Sequence, residues 1–373
     1  MITLPSVHFT PLSPSLLEMP EVELNASPVL VIHGGAGTMS KEGASPERRA
    51  QFKAALAEAL KAGHLVLQGG GEAMDAAVAA VNVMEDDPLF NAGKGAVFNM
   101  AGKNELEASI MLSKPPASHP EIPVTRHGIG ATLLTHVRNP ATLARELYLS
   151  PSLAPHTFLS GATAEDVGKE LGVTVVDPSY YYTKHRWLEH RKGLELPTED
   201  LPIDEKIPLD DLPRGTVGAV ALDARGCIVA VTSTGGRTNK LVGRIGDTPM
   251  MGAGYWAEEW TSSGFFQRAL NKVFGKSNHR AVGISGTGDG DYFIRLGTAS
   301  TVARRMQYLN ETVQEASAWA VEELRAQGGI GGVIALDAQG EVGMPLNCSG
   351  MYRGVIRSDG IPKTAIFDDD LLS

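Results

Sequence analysis

Apolar and polar positions along the chain mark out segments whose period predicts their type. Pro28–His33 reads PVLVIH, an apolar run closed by Gly34, Gly35, Ala36 and Gly37, and predicts a buried strand. Ser45 followed by Pro46 predicts a helix start, because serine caps free N–H groups and proline lacks the N–H that a first turn leaves unpaired. Phe52, Leu56, Leu60 and Leu67 then share one helical face until Gly69-Gly70-Gly71 stops it. A second helix is predicted from about Glu72 to Glu85, with Met74, Val78, Val81 and Met84 on one side. Leu106–Met111 and Gly130–Val137 read as strands, and Asn139-Pro140 and Thr163 begin further helices.

From about Tyr180 the period is lost, and residues 180–215 are expected to form a flexible linker, charged and carrying four prolines. Thr216–Asp223 then predicts a strand, Ala224-Arg225-Gly226 a turn, and Cys227–Ser233 the return strand. Near the end ALDAQG echoes ALDARG: Gly332–Asp337, a turn at Ala338-Gln339-Gly340, then Glu341–Met344. The echo predicts two related hairpins in one mainly antiparallel β system, with helices at 298–309 and 311–326 between them. The order of elements reads as an α+β fold with four layers, helix, sheet, sheet, helix. Residues 1–27, rich in proline and serine, form an extended arm, and 28–373 a single domain.

Composition narrows the function. With 43% apolar and 20% charged residues in 373, a substantial core can form. The formal net charge of −10 opposes nucleic acid and anionic membranes as partners. Two cysteines, Cys227 and Cys348, provide neither a disulfide framework nor a zinc pair and fit a reducing, cytoplasmic address. No leader pattern and no run of 18 apolar residues is present, so no membrane association is expected. Nucleotide and hydrolase motifs fail on a position, a context or a spacing. Lys276-Ser277 would end a P-loop, but Leu270 stands where glycine is required. Gly252–Ala257 matches GxGxxA but follows Pro249 and opens no clear helix. Gly283–Thr287 misses GxSxG at its last place, and His185, Glu189 and His190 lack HExxH spacing.

Leu212-Pro213-Arg214-Gly215 ends the linker immediately before Thr216 opens a buried strand. A threonine in that place suits a strand, and it also suits self-cleavage. Glycine before the bond permits a strained backbone, and the Thr216 hydroxyl could attack the preceding carbonyl. Cleavage at Gly215–Thr216 would leave an N-terminal threonine carrying both a nucleophile and a base. An α-amine has an ordinary pKa of about 8, close enough to neutrality to accept the hydroxyl proton.

GTVGAVALDARG, TSTGGRTNKLVGRIGDTPMMGAG, GTGDG and NCSGMYR resemble, in that order, the plant-type L-asparaginase and isoaspartyl peptidase family of N-terminal nucleophile hydrolases. Upstream, VIHGGAG, the two helices, and EDDPLFNAGKGAVFN followed by ELEASIM resemble its α subunit. The resemblance runs from about Val29 to Arg353. It implies an αββα sandwich processed into an α subunit, 1–215, and a β subunit, 216–373, from one precursor, assembled as (αβ)2. Thr216 would be the nucleophile, hydrogen-bonded by Thr234. Arg244 and Asp247, in Arg244-Ile245-Gly246-Asp247, would hold the substrate α-carboxylate and α-amine, as a guanidinium fork and a carboxylate can.

Ser285-Gly286-Thr287-Gly288 would take the place of the family's T-G-x-G oxyanion segment, with serine for the usual threonine. Asn91 would support the nucleophile's ammonium. The loop holding Met84, Glu85, Asp87, Phe90, Ala92 and Lys94 resembles the family's sodium loop; no cofactor is required. Two departures stand out. Leu112–Pro116 replaces the family's Asp-Gly, and Glu258–Asn278 reads as an insertion whose Trp260, Phe265, Phe266, Leu270 and Phe274 give a helix-like apolar face. That face is either core packing or a lid or oligomer contact.

The implied activity is hydrolysis of the L-asparagine side-chain amide and of β-aspartyl dipeptides. The same fold serves glycosylasparaginases and taspase-like endopeptidases, and an uncleaved member could act as an inactive binding protein. Arg214-Gly215-Thr216-Val217-Gly218, in place of an H-D-T-I-G motif, favours the asparaginase branch.

Overall fold

The computed structural model describes residues 26–39, 41, 44–197, 215–261 and 278–373. The chain forms an α+β sandwich of four layers. Its large sheet has eight strands: β1 (Val29–Gly37), β2 (Leu106–Leu112), β3 (Gly128–Leu134), β4 (Phe158–Ser160), β5 (Val217–Leu222), β6 (Ile228–Thr234), and, late in the chain, Gly350–Ile356 and Lys363–Phe367. The last two become β11 and β12, giving the order β12-β11-β1-β5-β6-β2-β3-β4. Neighbours are antiparallel except β3 and β4. The small sheet is β10-β9-β8-β7, from β7 (Tyr255–Thr261), β8 (His279–Gly288), β9 (Gly331–Asp337) and β10 (Val342–Gly343).

Helices cover the outer faces: α1 (Pro46–Gln68), α2 (Ala73–Asp86), α3 (Pro140–Leu149) and α4 (Gly161–Glu170) lie on the large sheet, and α7 (Thr298–Tyr308) and α8 (Val313–Ala326) on the small one. Two further helices, α5 (Lys184–Gly193) and α6 (Gly290–Leu296), lie beside the site. Ser45 caps α1 by accepting from the Arg48 amide, and Pro46 occupies its first turn, as expected.

The apolar run that predicted β1 is continuous because both of its faces are buried. Leu30 and Ile32 pack toward α1 and α2, while Val29 and Val31 pack between the sheets with Val220, Leu222, Ile334 and Leu336. On the far side Val282, Ile284 and Val333 meet Val302, Met306 and Leu324. Antiparallel order brings the end of β1, the start of β5, the end of β6 and the end of β8 to one edge of the sandwich. That edge carries the site.

Three expectations change. The two echoing hairpins fall in different sheets, β5–β6 in the large and β9–β10 in the small. What they share is a turn. Asp223 Oδ1 accepts from the Arg225 and Cys227 amides, both at 3.0 Å, and Asp337 Oδ1 accepts from Gln339 and Glu341, both at 2.9 Å. Gly226 and Gly340 follow with φ of 74° and 80°, a left-handed geometry suited to glycine.

Residues 180–215 are not linker throughout. Pro178–Tyr181 forms a 3₁₀ turn and Lys184–Gly193 is α5, held by a fully buried Arg186 that donates to the Gly95 carbonyl at 2.9 Å and, within the helix, to Glu189 at 3.0 Å. The anchors are polar, so no apolar stripe announced the helix. Residues 198–214 lie outside the described residues. Finally, Glu258–Thr261 belongs to β7, so the insertion starts later than expected; Phe265, Phe266, Leu270 and Phe274 lie outside the described residues.

Asp223 also accepts from the Ala73 amide at 3.1 Å, joining its turn to the start of α2. Asp223→Ala should therefore destabilise more than Asp337→Ala, each by about 1–3 kcal/mol for stranded amides. Denaturant midpoints check this order, and equal midpoints would contradict it.

Candidate active site

Strand pairing builds the site. Val217 pairs with Ser233, which carries Thr216 to a position beside Thr234, and Glu107 pairs with Thr234 on the next strand. Thr216, Thr234 and Glu107 thus succeed one another across three neighbouring strands, and all line a cavity of about 1070 Å³. Arg244, Asp247, Gly288, Asp289 and Gly290 line it from the other side. From α5, Glu189, Lys192 and Gly193 complete a wall where a mobile tail was expected.

Gly215 is required for space. A Cβ there would stand 2.6 Å from the Ala36 amide nitrogen and 2.6 Å from Thr287 Oγ1. Gly215 is not in the left-handed region, so crowding rather than the expected backbone strain explains it.

The T-G-x-G register shifts. Ser285 and Gly286 are buried away from the cavity lining, and Gly286 donates its amide to the Gly254 carbonyl at 2.8 Å. Thr287-Gly288-Asp289-Gly290 satisfies the same pattern two residues on, with threonine in first place. Thr287 Oγ1 accepts from the Ala36 amide at 3.1 Å beside Gly215. A shift of two keeps the same face of a strand, so alternation cannot tell the registers apart.

Arg244 and Asp247 do converge. A Cβ on Gly290 would meet Asp247 Oδ1 at 2.3 Å and Arg244 Nη2 at 3.2 Å, so only glycine leaves both groups room. Arg244 also pairs with the exposed Asp291 at 3.2 Å. Ile245 is half-buried and does not line the cavity, while the Gly246 amide donates to Glu107 Oε1 at 2.8 Å.

Asn91 acts one step back. Its Nδ2 donates to the Gly236 carbonyl at 2.7 Å and its Oδ1 accepts from Val97 at 3.0 Å, pinning the turn after Thr234. In the loop before it, Met84 and Glu85 end α2, Asp87 caps it, Phe90 and Ala92 are buried, and Lys94 lies over the Tyr180 ring at 4.7 Å. A Cβ on Gly93 would stand 2.3 Å from the Glu85 carbonyl oxygen, and one on Gly95 would crowd those of Phe90 and Pro88. The loop is therefore a cradle of main-chain oxygens, the donor set a hard cation takes. Among the described residues no group of three His, Cys, Asp or Glu could hold a metal.

Glu107 and His33 went unnoticed in the sequence. Their signal was a polar residue inside an otherwise apolar strand. Glu107 accepts from Gly246 and from Thr132 Oγ1 at 3.1 Å, leaving its buried Oε2 without a partner. Burial raises its pKa, against the pull of Lys240 and Arg244. Asp247 Oδ2 is likewise unpartnered, and burial, with Glu107 adding to it, pushes Asp247 up to about 7. Beside one arginine the cavity thus holds two carboxyls with spare acceptor capacity, an arrangement that can grip an amino acid by both of its charged groups.

The family model described as Asparaginase matches residues 26–263 and 275–366, so 264–274, inside the expected insertion, stay unmatched. The isoaspartyl peptidase of Escherichia coli is 36% identical over 345 residues, covering 91% of this chain and 96% of its own length. The isoaspartyl peptidase/L-asparaginase of Danio rerio is 33% identical, covering 84% and 87%, and that of Mus musculus 32%, covering 85% and 84%.

An ionised Asp247 attracts an ammonium and a protonated one does not. For a ligand carrying an α-amine, Asp247 should add to the pH profile of kcat/KM a rising limb that ends near 7, separate from any limb due to an amine base. Asp247→Asn should flatten this limb as it lowers the rate. A wild-type profile flat between pH 5 and 8 would remove Asp247 from ligand binding.

Proposed function

This chain belongs to the asparaginase family, and on that premise we propose that it hydrolyses the side-chain amide of L-asparagine and the isoaspartyl bond of β-aspartyl dipeptides. Thr216 acts as nucleophile after cleavage of Gly215–Thr216. One observation carries the reading: Thr216 immediately precedes a central strand and borders the same cavity as the Arg244–Asp247 pair.

Cleavage begins when Thr216 Oγ attacks the Gly215 carbonyl, giving an ester that water opens. The freed α-amine then takes the Thr216 hydroxyl proton as Oγ attacks the substrate's side-chain carbonyl. Arg244 holds the α-carboxylate and Asp247 the α-ammonium, which fixes the carbonyl over Thr216. Thr287 and the Gly288 amide supply donors to the developing oxyanion. The leaving amine departs with the proton, and water releases aspartate from the ester on Thr216. Thr234 shares the edge with Thr216, its Oγ1 accepting from Gly236 at 2.9 Å.

The main-chain oxygens of the Glu85–Lys94 loop support a structural sodium there; it would brace Asn91, and no step passes through it. We place the protein in a reducing compartment because Cys227 and Cys348 are unpaired. Among the described residues no helix is long and apolar enough to cross a membrane. The working unit is an αβ heterodimer from one precursor, paired as (αβ)2.

Thr216→Ala should give one full-length band on a denaturing gel and no turnover, where wild type gives two bands; a processed or active variant contradicts the reading. Arg244→Ala should still be cut but lose about 10–100-fold in kcat/KM, the worth of a charged hydrogen-bond pair. Unchanged kinetics would remove Arg244 from the site.

A further inference from the structure

We infer that His33, Ser285 and Thr232 form a one-way hydrogen-bond relay that grips the main-chain carbonyl of Thr216 and so aims the nucleophile. The inference rests on Thr216 acting as proposed above. His33 is wholly buried; its Nδ1 lies 2.9 Å from the Thr216 carbonyl oxygen and its Nε2 2.7 Å from Ser285 Oγ. Ser285 Oγ in turn lies 2.9 Å from Thr232 Oγ1.

Every direction in this chain is forced. A carbonyl oxygen can only accept, so Nδ1 carries the proton. Burial pulls the His33 pKa down to about 3, so the ring is neutral and Nε2 is left an acceptor. The single hydroxyl proton of Ser285 must then go to Nε2. Thr232 must therefore donate to Ser285.

The surroundings are shaped for this chain of bonds. A Cβ on Gly218 would stand 2.1 Å from Ser285 Oγ and 2.5 Å from His33 Nε2, so β5 admits the relay only at a glycine. Thr216 also has need of it. Pairing of β5 stops at His33–Gly218 on one side and Val217–Ser233 on the other, both short of Thr216. After cleavage no preceding residue holds Thr216, and the grip on its carbonyl fixes the bond next to its α-carbon. Ser285 lies on β8 two residues before Thr287, so the strand that carries the relay's serine also sets Thr287 beside Gly215. His33, Ser285 and Thr232 are thus positioning residues; none of them lines the cavity.

The tautomer tests the relay without reference to activity. In long-range ¹H–¹⁵N spectra of the labelled full chain, His33, identified by its loss in His33→Gln, should give a neutral Nδ1–H ring between about pH 5 and 8. A charged ring or an Nε2–H ring overturns the relay, whatever the protein hydrolyses. Kinetics test its purpose. Ser285→Ala and Thr232→Val should lower kcat on asparagine at least about tenfold with KM within about twofold, and Thr232→Ser, which keeps the hydroxyl, should restore kcat. A wild-type kcat in Thr232→Val, a loss confined to KM, or no rescue by Thr232→Ser overturns the inference. A wild-type protein with no turnover would count against the proposed function, and the tautomer would still decide the relay.

Discussion

The pairing of β5 between β1 and β6 is the constraint on which the site depends. It holds a central strand whose first residues are already buried, so a threonine just before it is fixed on its C-terminal side by ladders that begin one and two residues later. The same pairing leaves the peptide bond before Thr216 at the end of the ladder, pressed against Gly35 and Ala36 of β1 and against Thr287. A fixed C-terminal side and a crowded N-terminal side are what a nucleophile released by cutting its own chain needs. The two sheets supply the rest, since only their facing ends bring residues from β1, β2, β6 and β8 together.

Charge within the cavity is arranged by burial more than by pairing. Arg244 stands among Glu107, Asp247 and Asp291, and two of these carboxyls are buried with a spare oxygen each. Such a group is costly unless it is neutral or meets a cation. An incoming α-ammonium would meet that need, which ties substrate binding to the charge state of the site.

Much of this was legible in the sequence, and the failures have physical causes. Elements with a clear apolar period, such as β1, α1, α2 and the β5–β6 hairpin, lie within a few residues of their expected bounds. The start of β5 was legible because a charged stretch ends there against a buried strand, while the role expected of Thr216 came from the family resemblance. Helix α5 was not legible, because Arg186 holds it through a main-chain carbonyl, that of Gly95. The segment from Ser285 to Gly290 carries two overlapping glycine patterns one pleat apart, and packing against Gly215 decides between them. His33 and Glu107 were overlooked because a polar residue inside an apolar strand gains its meaning only from strands that meet it in space.

A covalent nucleophile at Thr216 would carry an acyl adduct during turnover, and that adduct can be weighed. The protein would be mixed with a β-aspartyl dipeptide, quenched in acid within a turnover, and its fragments weighed. The expected product is a fragment beginning at Thr216, a fraction of it bearing one aspartyl group in ester linkage on that residue. Turnover by an uncut chain, or an aspartyl group attached anywhere else, would contradict a nucleophile at Thr216.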